Sequence, residues 1–110
     1  MVYSINDTRP IHDRKRTQAA DRNRARLIAL EALAFVFREE RLAARFLAMT
    51  GIDPTTLRER AGDDAILAAV LAFLAAHEPD LVAFASAVGY TPHEVGDAAR
   101  HLAEERTDSN

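Results

Sequence analysis

The sequence predicts an all-α domain, a single-domain orthogonal bundle of about six short helices, from three observations. Apolar residues recur at intervals of three and four, the spacing of one helix face. Glycines and prolines stand where such stretches end and begin. Residues 46–57 also return in similar form 38 residues later, as residues 84–95, and each copy reads as helix, turn, helix.

Length and composition exclude several protein classes. A chain of 110 residues is one domain, long enough to bury a core without a metal or a disulfide. It contains no cysteine, which excludes disulfides, thiolate metal sites and cysteine nucleophiles and favours a reducing compartment, so we predict a cytoplasmic protein. The first ten residues lack the apolar core of a secretory signal. The longest uncharged run, residues 65–76, is too short to cross a bilayer.

Charge is distributed unevenly along the chain. Residues 1–26 carry a net charge of +4 and residues 27–110 a net charge of −7. We predict a mobile basic arm over residues 1–17, a helical domain over 18–106 and a frayed tail over 107–110. Such an arm can contact phosphate or an acidic partner, and it can equally be a solvated lead-in.

The first predicted helix starts near Gln18 and breaks near residues 38–40. Strong helix formers dominate its first half, and its second half is apolar on nearly every side except at Glu31. Its expected inward stripe is Leu27, Leu30, Leu33, Ala34 and Phe37, widened by Ile28 and Phe35.

Two short helices follow. The second helix contains Leu42, Phe46, Leu47 and Met49 and ends in a left-handed cap at Gly51. Asp53 is placed to cap a third helix that begins at Pro54, and the stretch 61–62 ends it.

The second half of the chain has clear start and stop signals. Asp63 precedes a fourth, apolar helix that reaches about Ala76, and the stretch 77–80 interrupts it with a proline. The fifth helix ends at Gly89, and its expected inward residues are Leu81, Val82, Phe84, Ala85 and Val88. Thr91-Pro-His-Glu94 is a capping box that opens the sixth helix, which runs to about Arg106.

The near-repeat extends over most of the predicted domain. Nine of the 34 ungapped pairs that residues 28–61 form with residues 66–99 are identical. We therefore predict two three-helix units whose long apolar helices lie side by side at the centre. The alternative is that both segments obey the same rules of helix capping without a shared origin.

The turn and core motifs resemble a known family. They are Phe46-Leu-Ala-Met-Thr-Gly-Ile-Asp-Pro-Thr-Thr-Leu-Arg58, Ala61-Gly-Asp-Asp64, Phe73-Leu74, Phe84, Gly89 and Pro92. Over roughly residues 25–103 the chain is similar to a small bacterial helical family known as domain of unknown function 3572. The resemblance implies an all-helical fold and brings no catalytic residues.

A helix-turn-helix DNA-binding protein is the alternative function. Residues 48–61 have the turn spacing of that motif, so Thr55, Thr56 and Arg58 would face bases while basic residues of the segment 9–26 contact phosphates. The short second helix and the acidic body argue against this interpretation.

A metal site on the sixth helix is a further alternative. His93, Asp97, His101 and Glu105 recur at four-residue steps and so share one side of a helix. The apolar residues of that helix place this stripe on a solvated flank, and His12 and His77 have no obvious partner. We therefore assign no metal ligand.

Nothing in the sequence indicates an enzyme. It contains no Gly-x-Ser-x-Gly elbow and no phosphate-binding glycine loop, and its paired acids stand at helix ends. We predict no catalytic residue and no cofactor. The predicted function is that of a non-catalytic interaction module that binds another protein or a second copy of itself, because two very apolar helices leave apolar surface uncovered.

Overall fold

Six α-helices account for most of residues 2–108 and confirm the predicted all-α bundle. The computed structural model describes the backbone of residues 2–108 and the side chains of residues 19–104. The helices are α1 (Val2–Arg38), α2 (Glu40–Thr50), α3 (Pro54–Glu59), α4 (Asp64–Ala75), α5 (Glu78–Val88) and α6 (Pro92–Asp108), and the described backbone contains no strand.

The ends of the chain differ from the predicted boundaries. Helix α1 begins at Val2 rather than near Gln18. The side chains of the predicted arm, residues 1–17, lie outside the described residues, and its mobility stays a prediction. Helix α6 ends at Asp108. Residues 109–110 of the predicted frayed tail lie outside the residues that the structure describes.

Helix α4 is the centre of the bundle and packs against α1, α2, α5 and α6. Its buried residues surround it on most sides: Ile66, Leu67, Ala68, Val70, Leu71, Phe73 and Leu74. As predicted, α1 lies against α4, and it also packs along α6.

Within the described residues no single helix has the length and apolar composition to cross a membrane. Taken together, α4 and α5 have that length and composition, but the pair is bent by 111° at the break between them.

Helix α1 is rotated relative to the predicted orientation. Its buried face is formed by Ala25, Ile28, Ala29, Ala32 and Val36, none more than 2% exposed. The predicted inward residues Leu27, Leu30 and Phe37 are instead 54%, 42% and 37% exposed. Of the other predicted residues, Ile28 is buried, and Leu33 and Phe35 pack partly buried against the core. The prediction was wrong for Leu27, Leu30 and Phe37, because the face that packs includes three alanines beside Ile28 and Val36.

Helix α5 shows a smaller difference of the same kind. Phe84 and Ala85 are buried, and Leu81 and Val88 pack partly buried against the core, as predicted. Val82, also predicted to point inward, is 44% exposed. An eleven-residue helix on the outside of a bundle buries one face only, and Val82 lies beyond that face.

The turns follow the capping signals of the sequence. Gly51 and Gly89 are left-handed, with φ of 71° and 88°, and their amides donate to carbonyls four residues earlier. The Asp53 carboxylate accepts from the amides of the residues two and three positions on. Thr91 and Glu94 exchange the two capping-box hydrogen bonds, at 2.8 and 3.0 Å. Asp63 occupies the predicted position before α4 but its carboxylate caps nothing.

The two halves of the repeat are joined through reciprocal aromatic contacts. The Phe35 ring of α1 packs on the Phe84 ring of α5 at a centroid distance of 5.4 Å. The Phe46 ring of α2 packs on the Phe73 ring of α4, also at 5.4 Å. Since Phe35 corresponds to Phe73 and Phe46 to Phe84 at the 38-residue offset, each unit supplies the partner that the other unit needs.

The glycines of α6 and of the α5–α6 turn give opposite expectations for substitution by alanine. Gly89→Ala places a side chain at φ 88° and should destabilise the fold by about 1–2 kcal/mol. Gly96→Ala adds a Cβ in the interior of α6, with Arg100 Nη1 at 3.9 Å as its nearest neighbour, and should stabilise it by up to about 1 kcal/mol. Urea denaturation of both variants measures the difference, and changes of equal sign would contradict it.

Candidate functional site

The outward face of α1 carries the largest apolar side chains that the described part of helix α1 leaves exposed. Leu27, Leu30, Ala34 and Phe37 follow at steps of three, four and three residues and so form one continuous line. At about 100° per residue this line lies roughly opposite the buried face of the helix. We call these four residues the outer stripe.

The repeat supplies an internal comparison for the outer stripe. At the 38-residue offset its four positions correspond to Ala65, Ala68, Ala72 and Ala75 of α4. All four are alanine, and three of them are exposed. A solvent-facing helix side in this fold therefore does not need large apolar residues, yet α1 has two leucines and a phenylalanine there.

The inner faces of the same two helices show the opposite distribution. Ala29 and Ala32 of α1 correspond to Leu67 and Val70 of α4, and all four are fully buried. In α1 two alanines stand at core positions where α4 has a leucine and a valine, and large residues stand at outward positions where α4 has alanines. Periodicity alone missed this, although comparing the two halves at the 38-residue offset could have revealed it.

Three charged groups beside the outer stripe are bound to the body of the domain. Arg24 donates to Glu94 of α6 at 2.6 Å. Arg26 pairs with Asp64 of α4 and donates to a carbonyl at 3.2 Å in the turn before it. Glu31 accepts a hydrogen bond from the Tyr90 hydroxyl. These contacts hold α1 against α4 and α6 and fix the direction in which the stripe faces.

Two of these groups have shifted pKa values. The pKa of Glu94 is lowered, mainly because its carboxylate accepts a hydrogen bond from the Thr91 amide and secondly because it accepts one from Arg24. The pKa of Tyr90 is raised, mainly because its hydroxyl donates a hydrogen bond to the Glu31 carboxylate and secondly because the group is partly buried. Both shifts favour the protonation states present at neutral pH, an ionised Glu94 and a neutral Tyr90.

A cleft of about 430 Å³ lies between α1 and α6. Apolar atoms of Ala25, Ile28 and Ala98 line it together with charged groups. The polar lining consists of Asp21, Arg24, Glu94, Asp97 and His101. Because Arg24 and Glu94 pair with each other across it, part of its charge is already compensated.

The side chains considered for metal binding lie along α6. His93 Nε2 is 3.3 Å from the Asp97 carboxylate, which also pairs with Arg100. His101 lines the cleft, whereas the Glu105 side chain and His12 lie outside the described side chains. His77 contacts Asp80 at 2.9 Å. Within residues 19–104 no group of three or more His, Cys, Asp or Glu residues is arranged to hold an ion.

The segment considered for DNA binding forms the predicted corner between α2 and α3. Helix α3 has only six residues, and the amides of Thr55 and Thr56 are used by the Asp53 cap. Arg58 is exposed on the last turn of α3. The side chains of the basic segment that would contact phosphates are described only from Ala19 onward, so the DNA-binding alternative stays a prediction.

The capping box makes stability depend on pH through Glu94. Since folding lowers its pKa, an ionised Glu94 stabilises the fold at neutral pH, and this contribution is lost as the pH falls through the folded-state pKa. Glu94→Gln keeps an acceptor for the cap but loses the charge that pairs with Arg24. We expect its Tm to lie below that of the unmodified chain at about pH 7, and we expect this difference to narrow as the pH is lowered toward about 3.

Glu104→Gln is the matched control for this prediction, because it removes the same charge from an exposed position of the same helix. Thermal unfolding followed by circular dichroism measures all three chains. If the Tm of Glu94→Gln lies equally far below that of the unmodified chain at the lower pH, the ionised Glu94 carboxylate is not the source of the difference.

Comparison with known proteins identifies a family. Its sequence profile, described as "Protein of unknown function (DUF3572)", matches residues 22–105, which contain α2 to α5, the second half of α1 and most of α6. No curated protein and no solved structure matches the chain. The match covers both units of the repeat and nearly all of the described core, and it confirms the resemblance seen in the turn and core motifs. The chain therefore belongs to the DUF3572 family, a family of unknown function.

Proposed function

We propose that the chain is a non-catalytic interaction module that binds a protein partner through the outer stripe of α1. The observation that carries the proposal is the contrast between the two units. Leu27, Leu30 and Phe37 stay exposed where the corresponding face of α4 has alanines. Contiguous exposed apolar side chains typically mark interaction sites.

The size of the stripe sets what it can bind. Leu27 and Phe37 are ten residues apart, about 15 Å along the helix. Burying the exposed parts of the three large side chains contributes about 1 kcal/mol each. A partner helix that lies along α1 matches this length and supplies apolar residues at the same spacing.

The rigid mounting of α1 supports the same role. The inner face of the helix is part of the core, and Arg24, Arg26 and Glu31 tie its flanks to α4, α6 and Tyr90. A surface that is ordered before binding loses less conformational entropy when a partner docks. The absence of cysteine in the sequence favours a reducing compartment such as the cytoplasm for this interaction.

Two glutamate substitutions test the proposal as a matched pair. Leu30 and Val82 are exposed to nearly the same degree, 42% and 44%, on different helices. Leu30→Glu places a charge in the middle of the outer stripe and should abolish capture of partners that the unmodified chain retains from a cell lysate, because an ion in an apolar interface is strongly unfavourable. Val82→Glu should leave that capture intact.

The readout is the set of proteins, including the chain itself, that cross-linking and mass spectrometry recover with each bait. Circular dichroism checks that both variants remain helical. If Leu30→Glu and Val82→Glu retain the same proteins as the unmodified chain, the outer stripe is not the binding surface.

A further inference from the structure

We propose that the occupant of the outer stripe is a second copy of this chain, with the two α1 helices side by side and antiparallel. The inference rests on the proposed function and names its partner. It follows from the spacing of the stripe and from the charge of the two halves of the chain.

The spacing of the stripe suits pairing of two identical helices. Steps of three, four and three residues are those of the a and d positions of a heptad, which form the seam between paired helices. With the two-fold axis midway between Leu30 and Ala34, Leu30 faces Ala34 of the second copy. Beside the axis a large side chain thus meets a small one. Farther from the axis, Leu27 faces Phe37 of the second copy.

The charge distribution selects the antiparallel orientation. Residues 1–26 carry a net charge of +4 and the remainder of the chain −7. Parallel pairing would place two basic segments side by side, whereas antiparallel pairing lays each basic segment along the acidic body of the other copy.

Sedimentation equilibrium of the full chain tests the association. We expect the mean mass to rise from 12.1 kDa toward twice that value as the concentration increases from about 10 to about 500 µM, a range suited to a small interface. The double variant Leu27→Ala, Leu30→Ala has alanine at both positions, as α4 has at the corresponding positions of the repeat. Its mean mass should stay at 12.1 kDa over the same range of concentration. Val82→Ala is the control and should dimerise like the unmodified chain.

Engineered cysteines test the orientation, because the chain has none of its own. Positions 27 and 37 are about 15 Å apart on one helix, and a disulfide requires Cα atoms within about 7 Å. A mixture of Leu27→Cys and Phe37→Cys chains should oxidise mainly to the mixed dimer. Neither chain alone should cross-link to a comparable extent.

The two proposals fail in different ways. Self-cross-linking of Leu27→Cys alone would overturn the antiparallel arrangement. A strictly monomeric chain whose Leu30→Glu variant loses a different protein would overturn self-pairing and leave the interaction module standing. A monomeric chain whose Leu30→Glu variant retains every captured protein would overturn both.

Discussion

The fold depends on the reciprocal packing of four phenylalanines. Phe35 contacts Phe84, Phe46 contacts Phe73, and each contact joins one half of the repeat to the other. Edge-to-face and tilted rings at these distances combine large buried area with a favourable aromatic geometry. Phe46 and Phe84 are completely buried, and each packs on one ring of its own half and on one ring of the other half. The bundle is therefore one cooperative unit made of two similar pieces.

The local structure was largely predictable because its causes are local. A glycine with positive φ ends α2 and α5, an aspartate and a threonine cap α3 and α6, and a proline opens both of those helices. Each signal acts over three or four residues. The breaks near residues 38–40 and 77–80 also agree with the structure, because each is marked by charged or proline-containing sequence between two apolar stretches.

The orientation of α1 was not predictable from periodicity, and the candidate site depends on it. Apolar residues lie on both sides of this helix, and the larger ones, Leu27, Leu30 and Phe37, were expected to be inside. Ala29 and Ala32 are inside instead, together with Ile28 and Val36. Which face is buried is decided by how two surfaces fit, and that information is spread over both halves of the chain.

The reciprocal aromatic contacts also have a consequence for how the chain folds during synthesis. Phe35 leaves the ribosome well before Phe84, with which it packs, and Phe46 before Phe73. Until α4 and α5 emerge, Phe46 has only the Phe37 ring of its own half beside it, at a centroid distance of 6.0 Å, and Phe35 lacks the Phe84 ring on which it packs. Translation of this small protein thus exposes an incomplete aromatic cluster, the kind of surface that molecular chaperones bind, until its last third has been made.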